Sequence, residues 1–171
     1  ALDADGVGGK SGPAPTDAAP AIAAVRQTRL ANLWVADALG DAARPITSIT
    51  SPENSPLNFS VAGTDQVIFD APQDGTLQIW SASAAGGEPR ALTTGSVLSA
   101  NARGAAGLIV FDRLEESEAH VWRVAPDGTG LRQLTQGSGE QVTALSADGR
   151  LAAFDRWETL GKVELLALET G

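Results

Sequence analysis

An all-β repeat fold is predicted by three series of landmarks that return in the same order about every 42 residues. The first is a short apolar run closing on a large residue. It occurs as Ile22-Ala23-Ala24-Val25, Val67-Ile68-Phe69, Leu108-Ile109-Val110-Phe111 and Leu151-Ala152-Ala153-Phe154, with last positions 44, 42 and 43 residues apart. The second runs Leu33-Trp34, Ile79-Trp80, Val121-Trp122 and Val163-Glu164, at intervals of 46, 42 and 42. The third is Ile46-Thr47, Leu92-Thr93 and Leu134-Thr135, at 46 and 42. A period near 42 is the length of a four-stranded blade, so the chain is read as a β-propeller segment of about four blades, three clear and the first degenerate.

Each element has a local cause. The runs are short and rich in Val, Ile, Phe, Trp and Thr, which favours strands over helices of ordinary length. Between them stand Ala84-Ala85-Gly86-Gly87, Pro126-Asp127-Gly128-Thr129-Gly130 and Ser146-Ala147-Asp148-Gly149, suited to hairpins because Gly and Asp tolerate positive φ. A blade that is apolar on both faces, as 108–111 implies, must bury them against neighbouring blades. Trp34, Trp80 and Trp122 are therefore expected to pack between blades rather than to stack on sugars or bases. Asp70, Asp112 and Asp155, each following a Phe, are expected to cap strand ends through turn amides rather than to form a cation-binding ring. Residues 1–20 read as a Gly, Pro and Ala-rich loop or linker, and 21–171 as the blades.

The segment from His120 to Thr135, followed by Ser146 to Phe154, resembles the repeat of TolB-like, WD-repeat-like bacterial propellers, and the likeness extends over 21–171. The resemblance implies that the strand entering the Ser-x-Asp-Gly turn is innermost, followed by the Phe strand, the Trp strand and an outer Leu-Thr strand. Blades then fall near 57–93 and 96–135, with a third from 141. The turn is intact at Ser146 to Gly149 and altered at Ser60-Val61-Ala62-Gly63 and Ser99-Ala100-Asn101-Ala102. Ala1 to Gly6 resembles Ala167 to Gly171, so both ends fall at one phase of the repeat. With no Met in the chain, this suggests a piece cut from a ring of six to eight blades, with a four-bladed ring as the alternative.

Composition narrows the function. Twelve Lys and Arg against twenty-one Asp and Glu leave a formal charge of -9, which disfavours a phosphate-backbone partner. The absence of Cys removes disulfides and thiolate chemistry while leaving the compartment open, with an extracytoplasmic one favoured by the resemblance. No apolar run approaches the roughly 18 residues of a membrane span.

No catalytic constellation is legible, and no cofactor is expected. Ala4 to Ser11 nearly matches a phosphate loop but has Ala4 where the first Gly belongs, with Pro13 and Pro15 where a helix should start. Asp3 to Gly6 lacks the later ligands of a calcium loop. His120 is the only histidine and reads as a strand residue at a blade edge. Glu115, Glu116 and Glu118 read as a solvated charge run, and no G-x-S-x-G elbow occurs.

The expected function is a non-catalytic module that binds a protein or peptide, with the remaining blades of a parent chain as further partners. Propellers bind where loops enter the innermost strands. Here those loops are 54–58, 94–96 and 137–141, which makes Asn58 and Gln141 the candidate contacts. An alternative is the gating propeller of a prolyl-oligopeptidase-type peptidase whose hydrolase domain lies elsewhere. A propeller acting as a lyase or hydrolase in its own channel is disfavoured by the single histidine.

Overall fold

A computed structural model describes residues 30–36, 43–51, 54–63, 65–159 and 162–168. The apolar run at 22–25, the linker at 1–20 and the motif-like stretch at 4–11 lie outside these residues. Thirteen short strands occur among the described residues, arranged as antiparallel sheets that follow chain order. Blade I contributes β1 (Trp34–Val35) and β2 (Arg44–Pro45). Blade II is β3 (Asn58–Ala62), β4 (Gln66–Gln73), β5 (Thr76–Ser83) and β6 (Arg90–Ala91), paired in that order. Blade III repeats it with β7 (Leu98–Ala105), β8 (Leu108–Glu115), β9 (Glu118–Val124) and β10 (Arg132–Gln133). Blade IV has β11 (Glu140–Leu145), β12 (Leu151–Arg156) and β13 (Val163–Ala167), with a 3₁₀ turn at Trp157–Thr159. The chain is all-β with propeller-like blades, and the strand order within each is the expected one.

Blades II and III bury both faces because alternate residues point to opposite neighbours. Phe69 and Trp80 stack with centroids 6.4 Å apart and face blade I, packing with Ile46 and Val67. Ile68 and Ile79 face the other way and meet Phe111, Ile109 and Trp122 of blade III. Val110 and Val121 in turn meet Phe154 and Val142 of blade IV. The aromatic residues of a blade thus look back, with Val67 or Ile109 beside them, while Ile68 and Ile79 of blade II and Val110 and Val121 of blade III look forward. Trp80 and Trp122 pack between blades as expected, whereas Trp34 is 62% exposed. The reason is the same direction rule: among the described residues nothing stands behind blade I.

The Ile-Thr and Leu-Thr landmarks act as clasps. Thr47, Thr93 and Thr135 accept, through their hydroxyls, the amides of Leu33, Ile79 and Val121, each at 2.9 Å. The residue before each Thr donates its own amide back to the same third-strand carbonyl, at 2.8–2.9 Å. An arginine opens every clasp. Arg44 donates to the Ala84 carbonyl of blade II, and Arg90 to the Asp127 carbonyl of blade III, so the outer strand of one blade grips a turn of the next.

The inner strands approach closely. A Cβ on Gly104 would lie 2.5 Å from the Ala62 Cβ and 3.2 Å from its Cα, so only glycine fits where β7 crosses β3. Gly104→Ala is expected to destabilise by about 1–3 kcal/mol through overpacking, read from denaturant midpoints, with Ala62→Gly restoring part of the loss in the double variant.

Two expectations are corrected here. Ser99 to Ala102 is not a turn but lies within β7, whose bulge between Ala100 and Arg103 places Asn101 in the left-handed region at φ 61. The turn of that hairpin is Ala106-Gly107, later than the altered motif suggests, because β7 and β8 are each eight residues long. The second correction concerns the aspartates. Asp70 accepts Asn58 Nδ2 at 3.0 Å and the backbone amide of Asn101 at 3.3 Å, and Asp112 accepts the Val142 amide at 2.6 Å. Asn101 and Val142 belong to the following blade in each case. These carboxylates are staples between blades rather than caps of their own strands.

Candidate binding face

The loops that cross from the outer strand of one blade to the inner strand of the next gather on one face, together with the hairpin turns β4–β5 and β8–β9. A polar side chain just before each apolar-Trp pair shapes these loops. Asn32 accepts the Ile49 amide at 2.7 Å and the Thr47 hydroxyl at 2.9 Å, and it donates to the Ile49 carbonyl at 3.2 Å. Gln78, fully buried, accepts the Thr93 hydroxyl at 2.7 Å and donates to the carbonyls of Gly95 and Val97 at 3.0 and 3.1 Å. His120 is the third in the series. Its Nδ1 lies 3.5 Å from Oε2 of Glu140, a carboxylate only 1% exposed that also accepts the Gly137 amide at 3.1 Å. Arg156 Nη2 reaches Glu140 Oε1 at 3.3 Å and Nη1 reaches Glu164 at 3.1 Å. A buried carboxylate needs such partners.

His120 therefore stands near the start of β9, opposite Arg113 of β8, at the end of the blade that faces the crossing loops. Its repeat position explains it. Sequence reasoning missed this polar series, although Asn32-Leu33-Trp34, Gln78-Ile79-Trp80 and His120-Val121-Trp122 show it once the Trp landmarks are aligned.

On this face blade III and the crossing loop that enters it line a cleft of about 630 Å³, formed by Ser96, Val97, Leu114, Glu115, Glu116, Glu118 and His120. Glu116 and Ser117 form its two-residue turn, both with positive φ (50° and 74°), between the paired Glu115 and Glu118. Neither residue type favours that conformation, and blade II uses Asp74-Gly75 at the same place. Arg113 Nε holds Glu115 at 2.9 Å while its guanidinium lies 5.1 Å from the Trp122 ring centroid. Glu118 accepts the Ser138 hydroxyl at 2.6 Å. Glu116 and Glu118 are exposed, as a solvated run should be, and the run is held on a frame by Arg113 and Ser138, with a negative net sign.

The two sequence candidates lie on the same face. Asn58 opens β3 opposite Asp70 and commits its amide to that carboxylate. Gln141 stands opposite Asp155 near the start of β11 and is half-buried. The structure does not bring these two together with the glutamate cleft into one pocket. A second cavity of about 720 Å³ opens between blades I and II, lined by Phe69, Trp80, Pro45 and Ile46 with Asp74 and Glu88 at its margin.

Below the face, Asn101 ties three blades. Its Nδ2 donates to Asp112 at 3.0 Å and to the Val142 carbonyl at 2.8 Å, and its backbone amide reaches Asp70. Burial pushes the Asp112 carboxyl up to about 7, against the lowering effect of the Val142 and Asn101 hydrogen bonds and of Arg103. Among the described residues there is no grouping of three or more carboxylate or imidazole side chains placed to hold a metal ion, and His120 makes no hydrogen bond to a hydroxyl.

No protein-family description matches the sequence, and no curated protein matches it. Solved structures do match by fold. The chain is similar to a protein described as TolB from Agrobacterium tumefaciens, with a TM-score of 0.65, 17% identity, and coverage of 81% of this chain and 53% of that one. TolB from Acinetobacter baumannii follows at 0.58, with 19% identity, 80% of this chain and 37% of that one. A structure from an analysis of two prolyl endopeptidases gives 0.50, with 17% identity, 66% of this chain and 17% of that one. These likenesses establish the propeller fold, and the chain spans about half or less of the proteins it matches.

Proposed function

We propose that the chain is a non-catalytic binding module, part of a TolB-like propeller completed by further blades, which receives a protein or peptide on the face where its cross-blade loops meet. The observation that carries this reading is the carboxylate cleft at 96–120, built on buried strands and held open by Arg113, Ser138 and the Gln78 and His120 anchors. Such a cleft favours a cationic side chain, whose attraction at a solvent-facing site is modest and falls with salt. Asn58 and Gln141, on the same face, are proposed to contact the more distant parts of the partner.

Basic and acidic peptides of equal length, tested by fluorescence anisotropy at low and high salt, check this. Basic peptides are expected to bind more tightly by tenfold or more at low salt. The Glu116→Lys variant should erase that preference, since Glu116 lines the cleft without a structural hydrogen bond of its own to lose. Equal affinity for the two peptide classes would refute the reading. The alternative, a gating propeller attached to a peptidase domain, draws support from the likeness to prolyl endopeptidases. A parent sequence with a nucleophile elbow would decide for it.

A further inference from the structure

We propose that the cavity between blades I and II binds a guanidinium group, presented by an arginine side chain of a partner peptide. The two blades that follow show what belongs at this place in the repeat. In blade III the residue after Asp112 is Arg113, whose guanidinium lies 5.1 Å from the Trp122 ring centroid while its Nε donates to Glu115 Oε1 at 2.9 Å. In blade IV the residue after Asp155 is Arg156, with its guanidinium 5.8 Å from the Phe154 ring centroid and its terminal nitrogens on Glu140 and Glu164. Each of these blades supplies its own planar cation, set over an aromatic ring and against a carboxylate.

Blade II keeps the receptor and lacks the cation. The residue after Asp70 is Ala71, which pairs with Gln78 as Arg113 pairs with His120. Trp80 stands where blade III has Trp122, and Gln73 where it has Glu115. Ala71, Gln73 and Trp80 all line the cavity of about 720 Å³. The Trp80 indole N–H donates to the Ala71 carbonyl at 3.2 Å, which fixes the ring. Gln73 Oε1 is shielded from solvent and has no hydrogen-bond partner, so an acceptor waits where Glu115 receives the arginine of its own blade.

Charge and size select the same occupant. Asp74 and Glu88 add two carboxylates, and among the described residues that line the cavity there is no Lys, Arg or His. The volume is that of a small-ligand pocket and takes a whole arginine side chain. A flat guanidinium meets both the indole face and the Gln73 acceptor, whereas a compact ammonium serves one of them poorly. The carboxylates favour an arginine within a peptide over the free amino acid, whose own carboxylate they would repel. The cavity shares no lining residue with the glutamate cleft, so this site is independent of the one proposed there.

The test titrates the 171-residue chain with arginine blocked at both ends as N-acetyl methylamide, and with blocked lysine and blocked citrulline, while NMR follows the Trp80 indole N–H. Blocked arginine is expected to give a saturable shift, with blocked citrulline, of the same shape but uncharged, weaker by about tenfold or more. Gln73→Glu, which restores the acceptor of blade III, should tighten arginine binding by about threefold. Ala71→Arg should abolish it by filling the cavity from within. Gln73 is only half-buried, so its variant decides the matter even where Ala71→Arg does not fold. A Trp80 resonance that does not move, equal affinity for arginine and citrulline, or no effect of Gln73→Glu would overturn the proposal. Free arginine binding as tightly as the blocked form would overturn the assignment to a peptide.

Discussion

Phe111→Ala is expected to lower the free energy of unfolding by about 3–5 kcal/mol, the largest effect of any single truncation considered for this chain. Phe111 is fully buried and lies in the contact between blades II and III, against Ile68, Ile79 and Ala102. Truncation removes the ring from a site whose walls are two different sheets. The strands on either side are pinned by clasps and by the Asp70 to Asn101 staple, so collapse onto the void is restricted and the cavity cost adds to the transfer cost. Leu165→Ala supplies the contrast. At 70% exposure it should change stability by less than about 0.5 kcal/mol in the 171-residue chain. Urea denaturation followed by tryptophan fluorescence reads both, because Trp80 and Trp122 sit at the blade interfaces. A Phe111→Ala loss below about 1 kcal/mol would mean that the blades do not depend on one another for their core.

Stability should also fall as the pH rises from about 4 to about 8, with Asp112 as the main cause. Its carboxyl is raised from 3.8 to about 7, first by burial, so the folded chain holds a proton there that the unfolded chain has released. A raised carboxyl contributes fully below its unfolded value and loses the contribution as pH climbs through the folded one. The ceiling on this effect is on the order of 4 kcal/mol. Asp127 and Asp148 act in a separate window. The Thr129 hydroxyl lowers the first and the Ser146 hydroxyl lowers the second, so what they contribute is present above the ordinary carboxylate range and is lost as pH falls below it. Asp112→Asn should flatten the slope between pH 5 and pH 8. It keeps an acceptor for the Val142 amide but sets an NH₂ group against Asn101, at a cost of about 1 kcal/mol. The variant is thus expected below wild type at pH 5 and level with it or above it at pH 8, as read from denaturation midpoints. Parallel pH profiles for the two chains would remove Asp112 from the explanation.

The order of the strands and the period of blades II and III were legible in the chain alone, because they depend on short-range alternation and on turn chemistry. Blade II was expected at 57–93 and its strands run from Asn58 to Ala91; blade III was expected at 96–135 and runs from Leu98 to Gln133. The intact Ser146 to Gly149 turn forms as read, with the Ser146 and Asp148 side chains accepting the Arg150 amide. Whatever depends on which blade stands beside which came from the packing of the sheets. Asp70 and Asp112 are staples because their acceptors aim across the interface at amides about 30 residues away, and no strand pattern states that distance. The bulge at Asn101 arises because its side chain finds Asp112 and Val142 at once. His120 is a loop anchor because Glu140 of the following blade comes down onto it. The glutamates of 115–118 line a cleft only because the crossing loop at 94–97 is drawn over by Gln78. Periodicity encodes which way a side chain points, while the partner it meets is set by the stacking of sheets, and the candidate face is made almost wholly of such meetings.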